Sequence, residues 1–402
     1  MSSSSRVVLV ALTAVLLLTG SGAHAAAQLP GLLDTVRVAD PARDLELLDA
    51  TASADGASTW LLVASRPRKQ RTATPELQVI QVDAKGGASA PITLPALNPP
   101  AGGDPFASPA RQRLIHGLAL GPGGLPVLGL ARSHLPVSLL SITSSGASVG
   151  TPVPIRLKSD ADLVGLARLS TGKLLMLGAA GLRGMIAQVA PDGAVAWERD
   201  IPTTAPLHLE EAWPTPDGGA VLLGRSGRDA KNAQAWVGLM TPTGEITAQV
   251  FLPAYDATLA RLADGQVAVV TDHVNAALFD TRLSRLSAEL AVQGSTPLLD
   301  THIAAGMTRV VPAGGGHVLI AGVKERALWV TRLDGSGKTV WSEVRTLDPQ
   351  KPELVDGTAL LSRGAVAILA YGANVLDGRS LHQQVVVLRL SLDARRGENV
   401  KP

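Results

Sequence analysis

Gly172-Lys-Leu-Leu-Met-Leu-Gly178 and Gly316-His-Val-Leu-Ile-Ala-Gly322 share one form, a turn glycine followed by a short apolar run that closes on a second glycine. Reading outward, the glycine and its apolar run return in Gly124-Leu-Pro-Val-Leu-Gly129, Gly219-Ala-Val-Leu-Leu-Gly224, Gly265-Gln-Val-Ala-Val-Val270 and Gly364-Ala-Val-Ala-Ile-Leu369. Successive leading glycines lie 48, 47, 46, 51 and 48 residues apart. Gly56-Ala-Ser-Thr-Trp-Leu-Leu-Val-Ala64 is an earlier copy, 68 residues before Gly124, lengthened by insertions near 66–75 and 95–113. A fixed period of this size marks a repeat architecture, each repeat being one supersecondary unit.

Each period holds the same order of elements. An apolar strand ends about three residues before the glycine, the run after it forms a second strand, and a third strand leads through a turn to a fourth. The third strand and its turn are plainest in Trp236-Val-Gly-Leu-Met-Thr-Pro-Thr-Gly244, Trp329-Val-Thr-Arg-Leu-Asp-Gly-Ser-Gly337 and Met185-Ile-Ala-Gln-Val-Ala-Pro-Asp-Gly193. Glycine in such turns is hairpin chemistry. Helical periodicity is nearly absent. Four short strands per period of about 48 residues predict an all-β chain, a β-propeller of about seven four-stranded blades.

The second strands are continuously apolar, as sheets covered on both faces require. Four residues after each glycine stand Trp60, Leu128, Met176, Leu223, Val269, Ile320 and Ile368, the expected packing slot. Trp213, six before Gly219, is expected in the core as well. After the last third strand, Gln384 to Ser391, only the polar stretch from Asp393 to Pro402 remains, whereas Leu32-Leu-Asp-Thr-Val-Arg-Val-Ala39 is unclaimed. This N-terminal strand is therefore expected to complete the last blade and hide its sheet edge.

The chain opens with Arg6, an apolar run from Val7 to Leu18, and Ala23-His24-Ala25, the order of a secretory signal peptide. Residues 1–27 are expected to be that peptide and 28–402 a single propeller domain. The apolar run is too short to span a bilayer, so no transmembrane segment is expected in the mature chain, which would be periplasmic or secreted. Without any cysteine, the protein must fold by core burial alone. Lys and Arg number 36 against 34 Asp and Glu, and with no basic stripe to follow a phosphate backbone, nucleic acid is not an expected partner. The one basic cluster, Arg66 to Arg71, reads as a solvated loop.

Leu333-Asp-Gly-Ser-Gly-Lys-Thr-Val-Trp341 and Ala190-Pro-Asp-Gly-Ala-Val-Ala-Trp197 carry an Asp, a turn glycine and a tryptophan four residues after it. These turns resemble the repeat of quinoprotein-like (PQQ-type) propellers, and equally that of many exported bacterial repeat propellers. The tryptophan is kept only at Trp197 and Trp341; its equivalents are Gly150 and Ala248. The polar and metal-ligating set that quinone binding needs is not evident, so the resemblance implies the fold and not dehydrogenase chemistry. No cofactor is expected.

Other motifs fail on their surroundings. Gly337-Lys338-Thr339 ends like a phosphate loop, but Arg332 stands where its first glycine belongs and no helix follows. Ser53-Ala-Asp-Gly-Ala-Ser-Thr-Trp60 nearly matches an Asp-box and reads better as a β-turn. All six tryptophans occupy repeat positions, so none is left over as a platform for sugars; of the remaining aromatics, Phe106, Phe251, Phe279, Tyr255 and Tyr371, Phe106 lies in a Pro/Gly-rich insertion suited to a functional loop. Asp272, His273 and His317, on or beside second strands, read as structural or surface groups.

The candidate site comes from geometry, because propellers bind at the axial mouth. Eight residues before each repeat glycine stand Leu48, His116, Val164, Glu211, Ala257, Thr308 and Asp356. His116, Glu211, Thr308 and Asp356, with neighbouring Asp256, Glu210 and His208, form the candidate ligand-binding ring, either a polar or metal-capable cluster or the ordinary lining of a hydrated channel. The reading this favours is a monomeric, non-enzymatic scaffold that binds a protein or cell-envelope component. The alternative is a periplasmic hydrolase or lyase with an axial polar or metal site.

Overall fold

The computed structural model describes residues 29–392 apart from 54, 70–74, 95–114, 122–124, 133–134, 143–149, 160–161, 228–231, 276–277, 299–307, 325–326, 346–352 and 378–379. On a few strand segments, those of His116 and Asp356 among them, it describes the backbone alone. The signal-peptide pattern, Phe106 and the polar tail after 392 lie outside the described residues.

The repeated apolar runs pair into seven four-stranded antiparallel sheets, and the described residues contain no helix. Six sheets are each cut from one stretch: blade 1 from 43–93, blade 2 from 115–154, blade 3 from 162–200, blade 4 from 207–253, blade 5 from 256–297 and blade 6 from 309–345. Blade 7, from 353–391, takes its outer strand from Leu32–Val38, which pairs antiparallel with Ser380–Ser391 through Val36 to Val387 and Val38 to Val385. The chain is a seven-bladed β-propeller closed by its N-terminal strand.

Core side chains lie between blades, because each sheet is apolar on both faces. Seven hydrophobic clusters fill the seven interfaces. Between blades 4 and 5, for example, Val221, Leu223 and Val237 meet Leu259, Val267 and Val269. All seven slot residues are buried. Trp213 departs from expectation: it is only partly buried, packing on three of these clusters while lining the axis.

The turn of blade 4 corrects the repeat frame by one residue. Gly218, with φ of 94°, donates its N–H to the Thr215 carbonyl at 3.1 Å, as Gly172 does to Leu169 and Gly265 to Leu262. Gly219 has no such φ and is constrained differently, since a Cβ there would lie 2.1 Å from the Met240 carbonyl oxygen. Counted from Gly218, the packing slot is Leu222, also fully buried, and the position eight residues earlier is Glu210.

Candidate functional site

The inner strands of the seven blades surround an axial channel of about 820 Å³. Four of them carry a bulge, leaving Leu48, Val164, Glu210 and Gly357 without a cross-strand partner. A bulge twists its strand and re-aims a side chain. In blade 4 it aims Glu210 into the channel beside Glu211, which pairs with Leu223. Glu210, Glu211 and Arg309 cluster at the front face, where the chain enters each inner strand; Arg168 and Arg363 line the rear.

Glu211 acts as a clasp between blades. Its Oε1 accepts from the Thr258 hydroxyl at 3.1 Å, and its Oε2 accepts from the backbone N–H of Leu259 at 3.2 Å. Both donors belong to the inner strand of blade 5, whose axial edge has no further strand to pair with. Asp49 in blade 1 does the same for blade 2, accepting from the Leu118 N–H at 3.0 Å. Burial pushes the Glu211 carboxyl up, while Arg309 and these hydrogen bonds pull it down.

Glu210 is in a different position. Its Oε1 lies 3.7 Å from Nε of Arg225, and burial raises its pKa to about 7, Arg225 countering and the Asp256 and Glu211 carboxylates adding to the rise. Asp256 faces Asp272 across blade 5, and Asp272 in turn faces Thr281. Asp272 is buried, accepts from the Thr281 hydroxyl at 2.6 Å, and is raised to about 6 by burial; Asp256 pushes the same way and the Thr308 hydroxyl opposes it. Thr308 itself is buried, at the head of the blade 6 inner strand.

The ring read from the sequence is thus brought together in part. Glu211 bonds Thr258, which the ring did not include, and Asp256 and Thr308 belong to the same charged neighbourhood around Glu210 and Asp272. The other two members stand at different heights. Counting along the second strand from its turn glycine, Glu211 pairs with the fifth residue, Leu223; His116 with the sixth, Leu130; and Asp356 with the eighth, Gly372. The blade 7 hairpin is tighter, joining Arg363 directly to Val366, so its inner strand runs farther before the same count is reached. Among the described residues, no group of three or more His, Asp or Glu side chains is placed to hold a metal ion.

Beside the channel, a second cavity of about 420 Å³ opens on the front face between blades 3, 4 and 5. His208, Arg225, Tyr255, Leu182, Leu207 and Ala233 contribute to its walls. His208 and Arg225 are cross-strand partners, and the Arg225–Glu210 pair forms the partition between pocket and channel. Arg225 escapes a sequence reading because it does not fall on the counted ring position, and Tyr255 stood out only as an aromatic outside the repeat positions. The available signal was the second charged group, Glu210, beside Glu211.

No protein-family model and no curated protein matches the sequence. Solved structures match it by shape alone. Polysaccharide lyase Uly1 superposes with a TM-score of 0.60 at 8% identity, over 90% of this chain and 100% of that one. A puromycin hydrolase does so at 0.51 and 16%, over 90% of this chain and 55% of its own length. BBS1N, solved in complex with ARL6DN, reaches 0.50 at 12%, covering 93% and 96%. At such identities the likeness extends to the propeller fold and not to the site. Fold and site together define the class: a seven-bladed propeller with a charged axial channel and an adjoining front-face pocket. The quinoprotein-like repeat finds no matching family model.

Proposed function

We propose that this protein is an exported, non-enzymatic scaffold that binds a protein or cell-envelope component through its front face. Export rests on the signal pattern of residues 1–27. The observation that carries the binding reading is the division of labour among the polar groups. Glu211 is committed to hydrogen bonds that hold blades 4 and 5 together and Asp272 to one inside blade 5, while the adjoining pocket is open and rimmed by Leu182 and Tyr255, 64% and 37% exposed. Exposed apolar residues gathered at a concave site favour a partner. The quinoprotein-like turns at Trp197 and Trp341 bear on the fold alone.

A hydrolase or lyase acting at the axis is the second reading. One observation favours it: a carboxyl with a pKa of about 7, at Glu210, suits proton transfer near neutrality. A photo-crosslinking residue placed at Leu182 on the front and at Thr171 on the rear tests the binding reading in cells. A discrete adduct from Leu182 alone, retained in Glu210→Gln, is the expected result. Adducts from the rear alone, or from neither position, would overturn it.

A further inference from the structure

We infer that the front-face pocket, where Arg225 stands among Leu182, Leu207, Ala233 and Tyr255, receives the C-terminal residue of a partner polypeptide, its free carboxylate on Arg225 and an apolar side chain against the aliphatic wall. This rests on the binding reading above and names the chemistry of the partner. At about 420 Å³ the cavity has the size of a small-ligand site and holds one or two residues. Among the described residues eight large hydrophobic side chains are exposed, and two of them, Leu182 and Tyr255, edge this one pocket. Its walls set aliphatic side chains beside one guanidinium, one imidazole and one phenol, so an apolar group and an anion can be held next to each other.

A guanidinium in such surroundings selects a carboxylate, which it grips with two parallel N–H donors. Capture of a chain terminus by fixed donors is an established recognition mode. Arg225 meets its internal partner, Glu210, through Nε at 3.7 Å, longer than a close ion-pair contact. Glu210 is faced by Arg225 from the second strand of its blade, by Asp256 from blade 5, by Arg309 from blade 6 and by Glu211 on its own strand. This balance leaves it near half-protonated at neutrality. An incoming terminal carboxylate, with an ordinary pKa of roughly 3.5, arrives ionised and displaces Glu210 from Arg225. Glu210 then takes from solvent the fraction of a proton that it still lacked, so binding tightens as pH falls through neutrality.

The test is calorimetric titration of the folded chain with acetyl-Ala-Ala-Leu bearing a free carboxylate, with its C-terminal amide, and with galacturonate. The acid is expected to bind at least ~10-fold more tightly than the amide, the loss of a charge-assisted pair. Arg225→Gln should erase that difference. From pH 8 to pH 6 the acid should tighten severalfold, and Glu210→Gln should flatten this response. His208→Gln should reduce it less than Glu210→Gln does, which separates Glu210 from an imidazole lining the same pocket. Equal binding of acid and amide, no binding of either, or tighter binding of galacturonate would overturn the inference. A front-face crosslink together with equal acid and amide binding would remove this inference and leave the binding reading standing; absence of the crosslink removes that reading itself.

Discussion

Glu210 differs from an ordinary surface carboxylate in the direction of its pKa, and that direction has a consequence for stability. Its folded value is raised from 4.5 to about 7, so between these two the native state holds a proton that the unfolded chain has released. More protons bound in the native state means that stability falls as pH rises through this window, and the cost is complete above about 7. Asp272, raised from 3.8 to about 6, acts with the same sign over a lower window. Glu210→Gln keeps the shape and removes the charge. At pH 8 the variant should be more stable than the parent by roughly 1–3 kcal/mol, and at pH 5 by under about 1 kcal/mol. Urea unfolding at the two values measures both. A loss of stability at pH 8 that disappears at pH 5 would mean that the site needs the anion.

Between elements, arginines hold neighbouring blades in a way unrelated to the core. Arg285, on the third strand of blade 5, donates Nη1 to the Gly316 carbonyl at 3.1 Å and Nη2 to the Asp334 carbonyl at 2.9 Å, tying together the two rear turns of blade 6. Arg389, on the third strand of blade 7, does the same for blade 1 through Ala84 at 2.9 Å and Gly56 at 3.1 Å. Arg285→Met retains much of the stem and loses the fork, which should cost about 1.5–4 kcal/mol, for two hydrogen bonds from a charged donor. Arg183→Met, which removes an exposed pair with Asp200, should cost under about 0.5 kcal/mol. Comparing the two unfolding midpoints checks the assignment. Elements of this kind mark where sequence reading stops. The strands were legible because turn glycine, apolar run and hairpin turn lie within one repeat. The clamps were not, because the acceptors of Arg285 are backbone carbonyls 31 and 49 residues away, with no side-chain signature. For the candidate site, spacing put its residues on the inner strands, but the Gly218-Gly219 pair, the bulge at Glu210 and the tight hairpin of blade 7 shifted heights that counting alone treats as level.

At the scale of the whole ring, stability depends on one joint. Six interfaces join blades that follow one another in the chain; the seventh joins blade 7 to blade 1, and its cluster includes Val36 and Val38 from the N-terminal strand packed with Leu45, Leu47 and Val385. In an array where each repeat touches only its neighbours, stability is nearly a sum of repeats and interfaces. Closure adds one interface and removes two exposed ends. Without Leu32–Val38, the Ser380–Ser391 strand becomes an open edge that carries Val385, Val386, Val387 and Leu388 in succession. Such an edge invites pairing with another chain. A chain lacking residues 29–38 should therefore unfold at lower urea with a shallower transition, since the ends of an open array fray before its middle. It should also self-associate in light scattering, while Val36→Asp with Val38→Asp, which keeps the strand but puts charge into the joint, should lower the midpoint with less association. If the truncated chain stayed monomeric and unfolded at the parent's midpoint, the N-terminal strand would be an ornament on a ring already closed by its cores. The pairing of Val36 with Val387 and Val38 with Val385, inside a buried cluster shared by the first and last blades, argues that it is the clasp.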